Sequence, residues 1–182
     1  YHRRQDWNAL AEIAQRELAL ASEAEQRAEL CFLLGTLNLE YFENSVAARN
    51  YFLQCIEHQP SHTGSLMQLR EIAEKKQQWQ EAAGYLQQAS QHVKKPEEKA
   101  MLLTSLGTLY RDNLQSNAQA LEYYQQALSV NTESIEALEA AADIYFQQAQ
   151  WQELEPLLAR LIPLLEDKPG DKLTTCQYRW AC

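Results

Sequence analysis

The chain has 182 residues, 46% of them hydrophobic, with five glycines and five prolines. That excludes a disordered or fibrous chain and leaves room for one domain with a core. A net charge of −9 argues against a nucleic-acid partner, and no apolar run is long enough to predict a membrane span. Ala, Leu, Gln and Glu dominate while Val, Ile and Thr are scarce, so an all-α protein is expected.

Residues 6–20 place Trp7, Leu10, Ile13, Ala14 and Leu18 on one face at helical spacing and predict a first helix. After a short break at 21–24, residues 25–41 form a second, with Leu30, Leu33, Leu34 and Leu37 as its apolar stripe. The turn at Glu43-Asn44-Ser45 offers an N-cap for a third helix, 45–58, which Pro60 and Ser61 end. Segments 62–76 and 79–92 form the next pair. Lys94-Lys95-Pro96 is a loop, with Pro96 at a first-turn position where its missing N–H does no harm. Helices at 97–112, 117–130, 134–148 and 151–166 follow. A turn at Pro169-Gly170-Asp171 leads to the start of another helix at 172–182. The pattern begins and ends inside helices, so a piece of a longer protein is expected. Short loops make sequential helices antiparallel neighbours.

The chain matches itself when shifted by 72 residues. Trp7 falls on Trp79 and Trp151. Leu34-Gly35-Thr36-Leu37 falls on Leu106-Gly107-Thr108-Leu109. Ala48 falls on Ala120, Tyr51 on Tyr123, Leu66 on Leu138 and Ile72 on Ile144. Each period holds two helical hairpins, at about 25–58, 62–92, 97–130 and 134–166, with a lone helix 6–20 before them. Gly35 and Gly107 lie inside helices, where Gly costs about 1 kcal/mol relative to Ala. A packing reason is therefore expected: the partner helix carrying Ala48 or Ala120 approaches closely there. Each recurring tryptophan is expected to open the second helix of a hairpin and to wedge the turn.

These hairpins resemble tetratricopeptide repeats, whose pattern is W-x2-L-G-x2-Y, then A-x3-F, then a small residue, then P. Leu106-Gly107-x2-Tyr110, Ala120-x3-Tyr124 and Ala127 match it with one extra residue in the turn. So do Leu34-Gly35, Ala48-x3-Phe52, Cys55 and Pro60. Leu69, Ala82, Leu86 and Ala89 fill the slots of 62–92, which is degenerate, with Arg70 at the glycine position and Ala73 at the tyrosine. Ala142-x2-Tyr145, Trp151, Leu154, Leu158 and Leu161 fill those of the fourth hairpin. The resemblance implies an α-solenoid of antiparallel hairpins stacked into a right-handed superhelix, as one domain over 1–182.

No nucleotide-binding loop, nucleophile elbow or H-E-x-x-H motif is present, so no enzymatic role, cofactor or metal is expected. His58 and His62 flank Pro60 and read as exposed loop residues rather than a metal pair. Cys31 and Cys55 face neighbouring helices and read as buried free thiols, which suits the cytoplasm, with the periplasm as the alternative.

The resemblance also implies a concave groove lined by the first helix of each hairpin. By register its residues are Glu29, Phe32, Thr36 and Leu39, then Met67, Glu71, Glu74 and Lys75. Thr104, Thr108, Arg111 and Asp112 follow, then Glu136, Glu139, Asp143 and Phe146. The groove is acidic at both ends, with a basic spot near Lys75 and Arg111. The Lys, Asn and Arg clamp by which some members hold a C-terminal carboxylate is absent: Thr36, Glu71 and Thr108 stand at the candidate positions. The expected function is a protein-interaction scaffold for a basic or amphipathic peptide or helix. The alternatives are a spacer or self-assembly segment associating through solenoid ends, or a regulatory arm of an enzyme.

Overall fold

The computed structural model describes residues 2–166. Among them nine helices and no strand occur: α1 His2–Leu20, α2 Ala24–Glu40, α3 Ser45–His58, α4 Thr63–Lys75, α5 Trp79–His92, α6 Pro96–Asp112, α7 Asn117–Val130, α8 Ile135–Gln147 and α9 Trp151–Glu166. Segment 172–182, with Cys176 and Cys182, lies outside the described residues. Four helices, α3, α5, α7 and α9, keep their expected bounds. α1 does not: residues 3–6 contain no helix breaker, and the helix runs back to His2. Trp7 therefore lies inside α1 instead of opening a helix, as Trp79 and Trp151 do.

Two compact units divide the chain, residues 1–92 and 93–182. The first holds α1 and the hairpins α2/α3 and α4/α5. The second holds the hairpins α6/α7 and α8/α9.

Inside the first unit the glycine in α2 has the expected packing reason. A Cβ on Gly35 would sit 2.5 Å from Cε1 of Phe52, closer than real contacts allow. The absent side chain lets the buried Phe52 ring lie flat against the α2 backbone. Ala48 and Phe52 then join Leu69 and Ile72 of α4 in one buried cluster. Inside the second unit the same arrangement recurs. A Cβ on Gly107 would sit 2.5 Å from Cε1 of Tyr124. Ala120 and Tyr124 join Ala141 and Ile144, each 72 residues beyond its counterpart. Tyr124 is fully buried and keeps its hydroxyl paired with Thr108 Oγ1 at 3.1 Å.

The turns repeat as well. α2–α3 and α6–α7 are joined by four residues, α4–α5 and α8–α9 by three, so the extra residue seen in the sequence lies in the turn. Each turn has one residue with left-handed backbone: Glu43, Gln77, Gln115 and Ala149, with φ of 52°, 57°, 52° and 52°. At the end of α4, Gln77 N–H donates to Glu74 O (2.9 Å) and Gln78 N–H to Ala73 O (2.9 Å). At the end of α8, Ala149 N–H donates to Phe146 O (3.1 Å) and Gln150 N–H to Tyr145 O (2.9 Å). This paired closure uses up two orphan carbonyls of a helix C-terminus.

α1 covers the stripe of α2. Trp7 stacks on Tyr41 with centroids 4.0 Å apart, and Ala11 and Ala14 pack with Leu30, Leu34 and Leu37. Ile13 faces away from this contact, 52% exposed, because the inward face runs through Trp7, Leu10, Ala11, Ala14 and Leu18. Cys31 and Cys55 are free, wholly buried thiols packed with Ala28. Burial pushes the Cys31 thiol up to about 11, helped by Cys55 beside it, which leaves it a poor nucleophile.

Candidate partner-binding faces and a cleft

The first helices of the hairpins carry the residues expected to line the groove. In the first unit these are α2 and α4. Glu29 is exposed, with a carboxylate oxygen 3.7 Å from His62 Nε2. Phe32 is half-buried and packs against the rings of Phe52 (5.8 Å) and His62 (4.7 Å). Leu39 is half-buried against the Phe52 cluster, and Thr36 donates to the carbonyl of Phe32 in its own helix. On α4, Arg70 lies 3.7 Å from Glu71 and 3.4 Å from Glu74, so both carboxylates are balanced by one guanidinium. Met67 is half-buried and Lys75 exposed.

His58 and His62 are not exposed loop residues. His58 ends α3 and accepts from Arg27 Nε at 3.2 Å. His62 is the N-cap of α4: its Nδ1 accepts from the Ser65 N–H at 3.1 Å while the ring packs on Phe32. Among the described residues no cluster of His, Cys, Asp and Glu could hold a metal ion.

In the second unit the corresponding helices are α6 and α8. Thr104 is buried and donates to Ala100 O at 2.8 Å. Arg111 donates twice to Asp112, at 2.6 and 3.1 Å. That bonding raises the Arg111 pKa and lowers that of Asp112, with the charge of Asp143 adding to the former. Glu136 is exposed, Glu139 half-buried, and Phe146 meets Trp151 edge-on at 5.7 Å.

Within this second unit a cleft of about 340 Å³ opens beside the N-terminal ends of α6 and α8. Its lining is Glu97, Met101, Thr104 and Ser105 of α6, Asn131 and Ser134 of the α7–α8 turn, and Glu136 of α8. Thr104 and Glu136 were expected at a binding face. The other five were not: Glu97, Asn131 and Ser134 stand at a helix start and in a turn, where helical periodicity gives no register, and Met101 and Ser105 lie within α6 outside the positions read as its groove face.

Residues 65–100 match a family model described as tetratricopeptide repeat. That stretch of the chain is a tetratricopeptide repeat, and the described residues form an all-α repeat of helical hairpins. Solved structures of tetratricopeptide-repeat proteins share this fold. MamA has 16% identity and a TM-score of 0.63, over 92% of this chain and 93% of that one. PilF of Pseudomonas aeruginosa has 17% identity and a TM-score of 0.56, over 100% and 82%. The APC/C hetero-tetramer Cut9–Hcn1 has 18% identity and a TM-score of 0.56, over 84% and 30%. No curated protein sequence matches the chain.

The family match falls on the hairpin that the sequence marks as degenerate. Its glycine position carries Arg70, yet Ala82 and Leu86 are as buried as Ala48 and Phe52. Tetratricopeptide-repeat proteins generally serve as non-enzymatic scaffolds for other proteins. No helix among the described residues is long and apolar enough to cross a membrane.

Proposed function

We propose that this chain is an interaction scaffold that holds a basic or amphipathic peptide, or a helix of a partner protein, on the faces of its first helices. One observation carries the reading: each first helix buries one face in its unit and keeps polar or long side chains on the other. On the second helices Ala48 and Phe52, Ala82 and Leu86, Ala120 and Tyr124, and Leu154 and Leu158 are buried. The first helices keep Glu29, Lys75, Met101 and Glu136 at the surface, available to a partner. A net charge of −9 favours a partner of opposite sign. Cut9, a similar tetratricopeptide chain, is found in a hetero-tetramer with Hcn1.

The test is capture of partners from the source cell by the wild type and by Glu71→Gln/Glu139→Gln. Asp143 is left unchanged because its charge acts on Arg111. Loss of a partner at unchanged helicity supports the scaffold; the same set captured by both variants sinks it. The spacer reading has its own support, since turn geometry repeats at 72 residues down to single hydrogen bonds. Its contact candidates are Ile13 and Leu20, 52% and 85% exposed on α1. If Ile13→Ser/Leu20→Ser leaves sedimentation unchanged, association through α1 is excluded.

A further inference from the structure

We propose that the cleft between α6 and α8 receives an arginine side chain from the partner peptide; the proposal rests on the scaffold reading above. The argument starts from the 72-residue register. Thr104 stands where the first unit has Phe32, and Ser134 where it has His62. In the first unit those two rings pack at 4.7 Å and fill the space between α2 and the start of α4. In the second unit two hydroxyls replace the two rings, and a cleft of about 340 Å³ is left. Its size lies at the lower end of ligand sites. It is large enough for one planar side chain.

Its chemistry selects which one. His62 caps α4, but its counterpart Ser134 makes no capping bond although it is the N-cap of α8. Ser134 is 8% exposed, and its hydroxyl has no hydrogen-bond partner among the described residues. Lining the cleft, that hydroxyl is open to a donor from a ligand. The rim carries Glu97 and Glu136. Lys95 pairs with Glu98 rather than with Glu97, and no basic residue lines the cleft. Met101, 68% exposed, supplies an apolar wall. A guanidinium is planar like the rings it replaces. It carries five N–H donors for carboxylates and hydroxyls, and its stem suits a thioether wall. A lysine ammonium would leave the flat space open, and a phenyl ring would leave Ser134 and both carboxylates unanswered.

Fluorescence anisotropy tests this with labelled Gly/Ser decapeptides centred on Leu-Arg-Leu, Leu-Gln-Leu or Leu-Phe-Leu. The arginine peptide should bind at least tenfold more tightly than the other two. Glu97→Gln/Glu136→Gln should abolish that preference. Thr104→Phe/Ser134→His, which refills the cleft as in the first unit, should block binding. Both carboxylate changes are at exposed positions and leave folding intact, so the test does not depend on the refilled variant. Equal binding of arginine and glutamine peptides, tighter binding of the phenylalanine peptide, or no binding of any overturns the proposal. A partner kept by Glu97→Gln/Glu136→Gln but lost by Glu71→Gln/Glu139→Gln overturns the arginine site and leaves the scaffold standing. A partner lost by neither overturns both.

Discussion

The two units solve one packing problem with the same steric parts and different chemistry. In both, a glycine in a first helix meets a fully buried ring of the second, Gly35 with Phe52 and Gly107 with Tyr124. The contacts between second helices differ. In the first unit Arg49 of α3 reaches Glu81 of α5 at 2.6 Å, and the Tyr85 hydroxyl donates to the same carboxylate oxygen at 2.7 Å. Seventy-two residues on, Leu121 and Leu157 replace Arg49 and Tyr85, and both pack on the Tyr124 cluster. Backbone approach is therefore fixed by sterics at the glycine, whereas the half-buried flank accepts an ion pair or an apolar contact. The same latitude at the starts of α4 and α8 fills a space with rings in one unit and leaves a cleft in the other.

The largest break in this symmetry should come from Gly107→Ala. Helix propensity alone would gain about 1 kcal/mol. The new methyl, however, meets a ring that cannot withdraw, because it is fully buried and hydrogen-bonded to Thr108. An overpacking penalty of about 3 kcal/mol, at the upper end of the usual range, leaves a net loss of about 2 kcal/mol. Gly35→Ala meets Phe52, which has no such tether, and should lose about 1 kcal/mol less. Urea unfolding of the two variants gives the comparison. Adding Tyr124→Leu to Gly107→Ala should recover part of the loss, and strict additivity in that double variant would refute the steric account.

A smaller effect separates the flanks. Arg49→Leu leaves Glu81 half-buried with Tyr85 alone and should cost about 1–2 kcal/mol. Arg49→Leu/Tyr85→Leu copies the second unit, where Glu153 at the matching position is exposed. It should be less destabilised than the sum of its single changes, since both side chains act through the one Glu81 carboxylate and either change alone disturbs that shared network.

The ion pair also carries a pH signature. The Tyr85 hydrogen bond first, and Arg49 second, hold the Glu81 carboxyl below its ordinary 4.5. On acidification the unfolded chain takes up that proton first. The contribution of Glu81 is thus complete above about 4.5 and is lost as pH falls through the folded value. The stability gap between the wild type and Glu81→Gln should close in that window. A gap constant down to pH 3 would show that the carboxylate charge contributes nothing.

Much of the fold was legible because steric demands leave marks in single residues. A glycine inside a helical stripe, an alanine opposite it and a ring four residues later locate the close approach without any structure. The candidate faces were legible only as positions. Phe32 and Leu39 fit the register of a first-helix surface, yet both pack half-buried against the Phe52 cluster, which depends on how far the next hairpin reaches. His62 was misread because Pro60 suggests a loop, whereas an imidazole nitrogen can cap a helix as a serine oxygen does. The cleft was written in the alignment of Phe32 with Thr104 and His62 with Ser134, but a missing pair of rings reads as nothing until the volume is seen.

The smallest effect tests the turns, and there the units agree. All four left-handed positions carry a side chain, although glycine is the usual choice at the residue after a helix end. Ala149 is the plainest of the four, since its side chain has no polar group with which to offset the strain. A non-glycine residue in this conformation costs about 1–2 kcal/mol. Glycine would remove that cost but add freedom to the unfolded chain worth about 0.4–1 kcal/mol. Ala149→Gly should therefore stabilise by about 0.5 kcal/mol, read as a rise in the urea midpoint at constant slope. Gln77→Gly, at the same place in the first unit, should move the midpoint the same way, because its closure has the same two hydrogen bonds. Opposite signs at the two sites would mean that the shared backbone hides different side-chain contributions, and that the 72-residue repeat is less complete in energy than in geometry.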